Sequence, residues 1–209
     1  MKRGKFIALE GGEGAGKSTQ ARLLAEALQK IGQTCVITRE PGGTPGAEAI
    51  RGLLLGTEGE GWHPRAEALL FAAARSDHVE RLIVPALERG EWVICDRFVD
   101  SSRAYQGGGG GLSDAEVLDL HRIGSGGLLP DLTLLIEVTP AIVAQRLALR
   151  DGDQADRIGG RHADYHAAVD AAFRRFADAE PHRFARIDGD GPAQAVHAAI
   201  LSALGPLLP

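Results

Sequence analysis

The chain has 209 residues, 44% of them hydrophobic and 24% charged, with a formal net charge of −5. That length suits one well-buried α/β domain over residues 1–209 rather than two, and the composition is that of an ordinary soluble protein. The acidic balance argues against broad nucleic-acid binding, so no nucleic-acid partner is expected.

No N-terminal apolar stretch is long enough for a signal peptide or a membrane span, so a cytoplasmic protein with no membrane partner is expected. The only two cysteines, Cys35 and Cys95, each lie in an apolar strand-like run. Buried thiols are expected there rather than a disulfide or a metal site.

Residues 6–9 read as a short buried strand and residues 19–28 as a helix, with Leu24 and Leu28 four apart. Between them Gly11-Gly12-Glu13-Gly14-Ala15-Gly16-Lys17-Ser18 matches G-x-x-x-x-G-K-[ST], the phosphate-binding P-loop. The glycines let the backbone curl so that several N–H groups face one anion, and the helix N-terminus adds partial positive charge. Lys17 then reaches the β- and γ-phosphates and the Ser18 hydroxyl is placed for Mg²⁺. The expected ATP site runs from Gly11 to Thr19.

Gly32 marks a helix stop, and residues 33–38 read as a second strand ending in the loop Arg39-Glu40-Pro41-Gly42-Gly43. A short helix is predicted over 47–55, a loop over 57–64, and a long helix from Pro64 to about residue 89. Trp92-Val93-Ile94-Cys95 is apolar throughout, as a central parallel strand should be, with Asp96 and Arg97 at its carboxyl end. Residues 101–106 look helical. The five glycines at 107–111 read as a flexible joint.

Ser113 and Glu116 have capping-box spacing at the start of the next helix. A fourth strand follows over 131–137, then a helix over 140–150 and a polar excursion over 151–160. A helix over 162–179, a fifth strand over 184–187 and a closing helix over 192–204 complete the chain. This alternation implies βαβ units around a five-stranded parallel sheet flanked by helices, with ligands at the carboxyl ends of the strands.

Three stretches point to a second pocket at that sheet edge. Phe71 and Arg75 are four apart on the long helix, so a ring and a guanidinium share a face and can stack and hydrogen-bond a flat base. Taken alone, Phe71 reads as core packing and Arg75 as solvated. Arg97, directly after a central strand, is placed to clamp a phosphate, and Asp96 to hold Mg²⁺ through water.

Ser102 and Gln106 share a helical face with Tyr105 beside it. The third stretch is the basic run Arg146, Arg150, Arg157 and Arg161. It suits either a lid closing over transferring phosphates or a solvated charged surface.

Taken together, four stretches resemble the bacterial thymidylate kinases. They are the P-loop with acidic Glu13, the loop Arg39-Glu40-Pro41-Gly42-Gly43-Thr44, the pattern Leu70-Phe71-x-x-x-Arg75-x-x-His78, and Asp96-Arg97-Phe98-x-x-Ser101-Ser102-x-Ala104-Tyr105-Gln106-Gly107. The similarity spans about residues 6–187.

The resemblance implies a three-layer P-loop NTPase fold with a lid at about 150–161. It implies the reaction ATP + dTMP → ADP + dTDP with Mg²⁺, in a homodimer. Phe71 would stack on thymine, Arg75 would bond its O4, and Ser102 and Gln106 would sit near the base edge. Tyr105 would lie near the sugar. Arg97 and Arg51 would hold the acceptor phosphate, Pro41 would line the same site, and Glu13 would lie between the 3′-hydroxyl and the phosphates.

Family members carry the catalytic arginine either in the P-loop or in the lid. Here none lies between Gly11 and Lys17, so Arg150 or Arg157 is the expected source. Asp156-Arg157-Ile158 is followed by Gly159, where the family usually has Glu.

An acceptor phosphate is anionic at neutral pH and needs no strong base, so catalysis should be alignment and charge neutralisation by Lys17, Mg²⁺, Arg97 and lid arginines. Two other readings are a nucleoside monophosphate kinase with a different acceptor, and a non-enzymatic nucleotide switch. Against the switch, the chain has no guanine-reading Asn-Lys-x-Asp motif.

Overall fold

Five short apolar runs separated by helices assemble as parallel strands, because each crossover helix returns the chain to the same sheet edge. The computed structural model describes residues 3–56, 61–148 and 160–208. Residues 57–60 of the expected loop, and residues 150–159 of the expected lid, lie outside them.

Among the described residues the strands are β1 (Phe6–Glu10), β2 (Cys35–Arg39), β3 (Trp92–Asp96), β4 (Leu132–Glu137) and β5 (Phe184–Asp188). They form one parallel sheet in the order β2-β3-β1-β4-β5. The order reverses at β1, which makes the crevice beyond its carboxyl end the ligand position.

Every residue of β1 is buried, and its alternate side chains feed two cores. Ile7 and Leu9 pack with Leu24 and Leu28 of α1 (Lys17–Lys30) and with Ile200 and Leu204 of α9 (Ala193–Leu204). Phe6 and Ala8 face the other way, onto Val79, Ile83 and Leu87. The result is the expected three layers, with helices on both sides of the sheet. Cys95 is buried and Cys35 half-buried; both are free thiols.

The long helix is real but interrupted. It runs as α3 (Pro64–His78), passes through a wide π turn over Val79–Ile83, and continues as α4 (Val84–Glu88). Within the turn the Val84 N–H bonds the Val79 carbonyl, five residues back. The wide turn comes just before Pro85, which has no N–H to donate and whose ring would crowd a regular α turn.

The glycine run is not a flexible joint. After α5 (Val99–Ser102) the chain forms a wide helical segment over Arg103–Gly109, so three of the five glycines are helical. A Cβ on Gly108 would stand 2.6 Å from the Ala172 Cβ, and one on Gly109 would stand 2.5 Å from the Tyr165 ring. Both contacts belong to α8 (Ala163–Ala179), so the missing side chains serve close helix approach.

Among the described residues the remaining α-helices are α2 (Pro45–Gly56), α6 (Asp114–Ser125) and α7 (Pro140–Ala148). At the start of α6 the capping box forms as expected: the Glu116 N–H donates to Ser113 Oγ and the Ser113 N–H to Glu116 Oε2.

Candidate active site

The turn from β1 into α1 is a loop only glycine permits. Gly11, Gly14 and Gly16 have φ of 133°, 70° and 89°, and a Cβ on Gly11 would lie 2.3 Å from the Ile136 carbonyl oxygen. Lys17, 7% exposed, folds back to donate to the carbonyls of Gly11 at 3.1 Å and Gly12 at 2.8 Å. Burial, with Arg97 adding in the same sense, lowers its ammonium from 10.5 to about 8.

The Ser18 hydroxyl donates to Asp96 Oδ2 at 2.7 Å. The first turn of α1 and the end of β3 therefore bring a hydroxyl and a carboxylate together, the hard oxygen donors that suit Mg²⁺. Thr19 lines a groove of about 400 Å³ with Gly14, Gly16, Arg146 and Pro192, and Asp96 is not part of its wall.

On the Asp96 side lies a cavity of about 230 Å³. Its wall contains all nine residues expected for the acceptor: Glu13, Pro41, Arg51, Phe71, Arg75, Arg97, Ser102, Tyr105 and Gln106. Arg75 is not the solvated residue its position alone suggested, being 3% exposed.

Its Nε donates to Glu40 Oε2 at 2.7 Å and its Nη2 to Ser102 Oγ at 2.7 Å. Glu40 in turn meets His78 Nδ1 at 3.1 Å, and His78 Nε2 lies 2.7 Å from Thr38 Oγ1. Sequence reasoning did not give Glu40 this part; the buried guanidinium alone would have asked for such a partner. Arg51 donates to the Pro41 carbonyl at 2.8 Å.

Arg97 adopts φ 70°, a left-handed conformation unusual for a residue with a side chain. Its Nη1 donates to the Gly11 carbonyl and to Ser101 Oγ, each at 3.2 Å, and its guanidinium lies 5.0 Å from the Tyr105 ring centroid. The sequence reading missed what holds this segment.

Glu10, fully buried at the end of β1, accepts from the Phe98 N–H at 2.8 Å, the Ser101 N–H at 3.0 Å and Ser101 Oγ at 2.6 Å. Asp100, also fully buried, is held by Arg183 at 2.7 and 2.8 Å, Arg103 at 3.0 Å and Thr133 at 3.1 Å. Burial works against the Asp100 charge, but the two guanidiniums outweigh it and lower the carboxyl below its usual range.

Burial, reinforced by Asp100, raises Glu10 from its ordinary 4.5 to about 7. A raised acid binds more protons folded than unfolded. Its stabilising contribution is therefore full below about 4.5 and lost as pH rises through about 7. Glu10→Gln keeps an acceptor for both N–H groups and cannot ionise. The melting-temperature advantage of wild type over this variant is expected to shrink between pH 4.5 and 7.5; a difference that does not change with pH contradicts the assignment.

The basic run separates into different jobs. Arg146 donates to the carbonyls of Gly14 at 3.2 Å, Ala15 at 3.4 Å, Gly189 at 2.7 Å and Gly191 at 3.4 Å, clasping the P-loop to the loop before α9. Arg161 bonds Glu67 Oε2 at 2.5 Å and the Tyr165 hydroxyl at 2.6 Å. Neither is a solvated surface charge. Arg150 and Arg157 lie outside the described residues.

A loop built for phosphates and an apolar-walled pocket with buried donors thus share one edge of the sheet. A family profile described as thymidylate kinase matches residues 9–200. A thymidylate kinase of Rhizorhabdus wittichii is 54% identical over 206 residues, covering 99% of each chain. One of a Bradyrhizobium species is 48% identical over 195 residues, covering 93% of this chain and 86% of the relative.

The crystal structure of an Ehrlichia chaffeensis thymidylate kinase superposes with a TM-score of 0.76 at 32% identity, covering 97% of this chain and 99% of that one. Sequence and architecture agree along nearly the whole length, and the chain belongs to the thymidylate kinase family.

Proposed function

We propose that this chain, as a single kinase domain over residues 1–209, transfers the γ-phosphoryl group of ATP to dTMP held in the 230 Å³ pocket. The family reaction is ATP + dTMP → ADP + dTDP. One observation carries the residue assignment: Arg97 bonds the P-loop carbonyl of Gly11 while lining the same cavity as Phe71, Arg75, Ser102 and Gln106. A monophosphate whose base reaches Phe71 would thus present its phosphate beside Lys17.

In this reading Gly11, Gly12, Glu13, Gly14, Ala15, Gly16, Lys17, Ser18 and Thr19 hold the triphosphate. Arg97 and Arg51 clamp the acceptor phosphate, with Pro41 beside them. Phe71 stacks on the base, Arg75 donates to its carbonyl edge, and Tyr105 packs against the sugar. Glu13 stands between the sugar and the phosphates.

Ser18 and Asp96 offer the oxygen donors for Mg²⁺, which when bound neutralises phosphate charge. Lys17 and Arg97 draw the two anionic groups together, and alignment with exclusion of water supplies the rate. The last cation is assigned to Arg150 or Arg157, on the ground that the P-loop holds no arginine.

The same proposal includes a homodimer in the cytoplasm. In its support, Leu69 on α3 and Ile123 on α6 are 57% and 74% exposed on helices that pack together. No helix among the described residues is long and apolar enough to cross a membrane. The test is coupled ADP release with dTMP, dUMP, UMP, CMP, AMP and GMP. dTMP is expected to give the highest kcat/KM, and a clear preference for any other acceptor overturns the choice of base.

A further inference from the structure

Gln106 ends in two different atoms, an acceptor oxygen and a donor nitrogen, and which of them faces the pocket decides which base edge the pocket accepts. Gln106 lines the cavity beside Phe71, Arg75 and Ser102, yet is only 2% exposed. Its Nε2 donates to Glu67 Oε1 at 3.1 Å. Glu67, on the first turn of α3 and also 2% exposed, directs its other oxygen to Arg161 at 2.5 Å.

A carboxylate accepts and does not donate, so the amide nitrogen must turn toward Glu67. The Gln106 oxygen is thereby left for the other side, and among the described residues it accepts no hydrogen bond.

Arg161 is itself fixed. It donates to the Tyr165 hydroxyl at 2.6 Å, and that hydroxyl donates to the Tyr105 carbonyl at 2.9 Å. The Glu67 carboxylate is thus buried, paired and held in place from the side opposite Gln106.

We infer that Glu67, braced by Arg161, is a specificity-determining positioning residue: it locks the Gln106 amide with its oxygen toward the base. This rests on the base-edge reading proposed above. A fixed acceptor beside the Arg75 donor complements a ring N–H next to a carbonyl, the edge of thymine and uracil. Cytosine offers the reverse, an unprotonated ring nitrogen next to an amino group. With the amide locked, that edge meets oxygen against nitrogen lone pairs and donor against donor.

The experiment compares kcat/KM for dTMP with kcat/KM for dCMP. Glu67→Gln keeps the shape but can donate as well as accept, so the Gln106 amide is free to flip. The dTMP-to-dCMP ratio is expected to fall roughly tenfold, mostly through the KM for dTMP. An unchanged ratio in a folded variant overturns the inference.

Gln106→Leu is expected to lower the ratio too, and adding Glu67→Gln to it should change nothing further; an additional loss would mean Glu67 does not act through Gln106. If Gln106→Leu leaves the ratio intact, the base-edge reading itself fails. A measurement on the unaltered protein stands beside these: the Gln106 side-chain amide protons should exchange with water far more slowly than those of exposed Gln29. Equal rates would overturn the locked orientation.

Discussion

Arg97→Ala is expected to lower kcat/KM for dTMP by roughly 10³-fold while the protein remains folded. In the proposed acceptor site the guanidinium, beside the P-loop carbonyl of Gly11, would meet the phosphate, and a charge-assisted bond to phosphate in a half-buried site is among the stronger polar interactions available. Burial and its carbonyl and hydroxyl partners hold it in place, so little reorganisation is needed when the acceptor arrives.

The backbone supplies a control. Because residue 97 has φ 70°, alanine remains strained there and glycine does not. Arg97→Gly should therefore melt higher than Arg97→Ala yet lose the same activity, measured by thermal denaturation and steady-state kinetics. Near-normal turnover in either folded variant would remove Arg97 from the acceptor site.

Lys17→Ala is expected to reduce kcat by roughly 10²–10³-fold, with a smaller effect on ATP affinity. The backbone N–H groups of the P-loop still bind triphosphate without it, but the charge that follows the transferring phosphoryl group is gone. The ammonium bonds the Gly11 and Gly12 carbonyls, and burial holds it at about 8 rather than 10.5. ATP phosphates beside it oppose that shift and favour the charged form. Single-turnover kinetics at saturating ATP separates the two effects; a loss confined to ATP binding would contradict a transition-state part for Lys17.

The fold was legible where one local rule governs. The all-apolar run at Trp92–Cys95, the Ser113/Glu116 capping box and the Gly-Lys-Ser ending of the P-loop each announced their structure. Glycine misled, because its two uses look alike in sequence. The run at 107–111 reads as slack until Ala172 and Tyr165 arrive from α8, far along the chain.

The long helix was seen, but not the wide turn before Pro85. In the site, residues on exposed or pocket-facing positions of one helix were found, since spacing groups them. Glu10, Glu40, Glu67 and Asp100 were not, because a buried carboxylate takes its meaning from partners brought by topology. Arg75 shows the same limit: at the surface it would be a common charge, and with Glu40 and Ser102 it becomes a fixed donor.

The central claim is that the γ-phosphoryl group has a nucleotide destination. The most direct measurement follows γ-labelled ATP through one turnover of the wild-type protein with dTMP present and absent. The label is expected in dTDP, with little inorganic phosphate formed when dTMP is left out. Label released as inorganic phosphate at the same rate with or without dTMP would contradict the account.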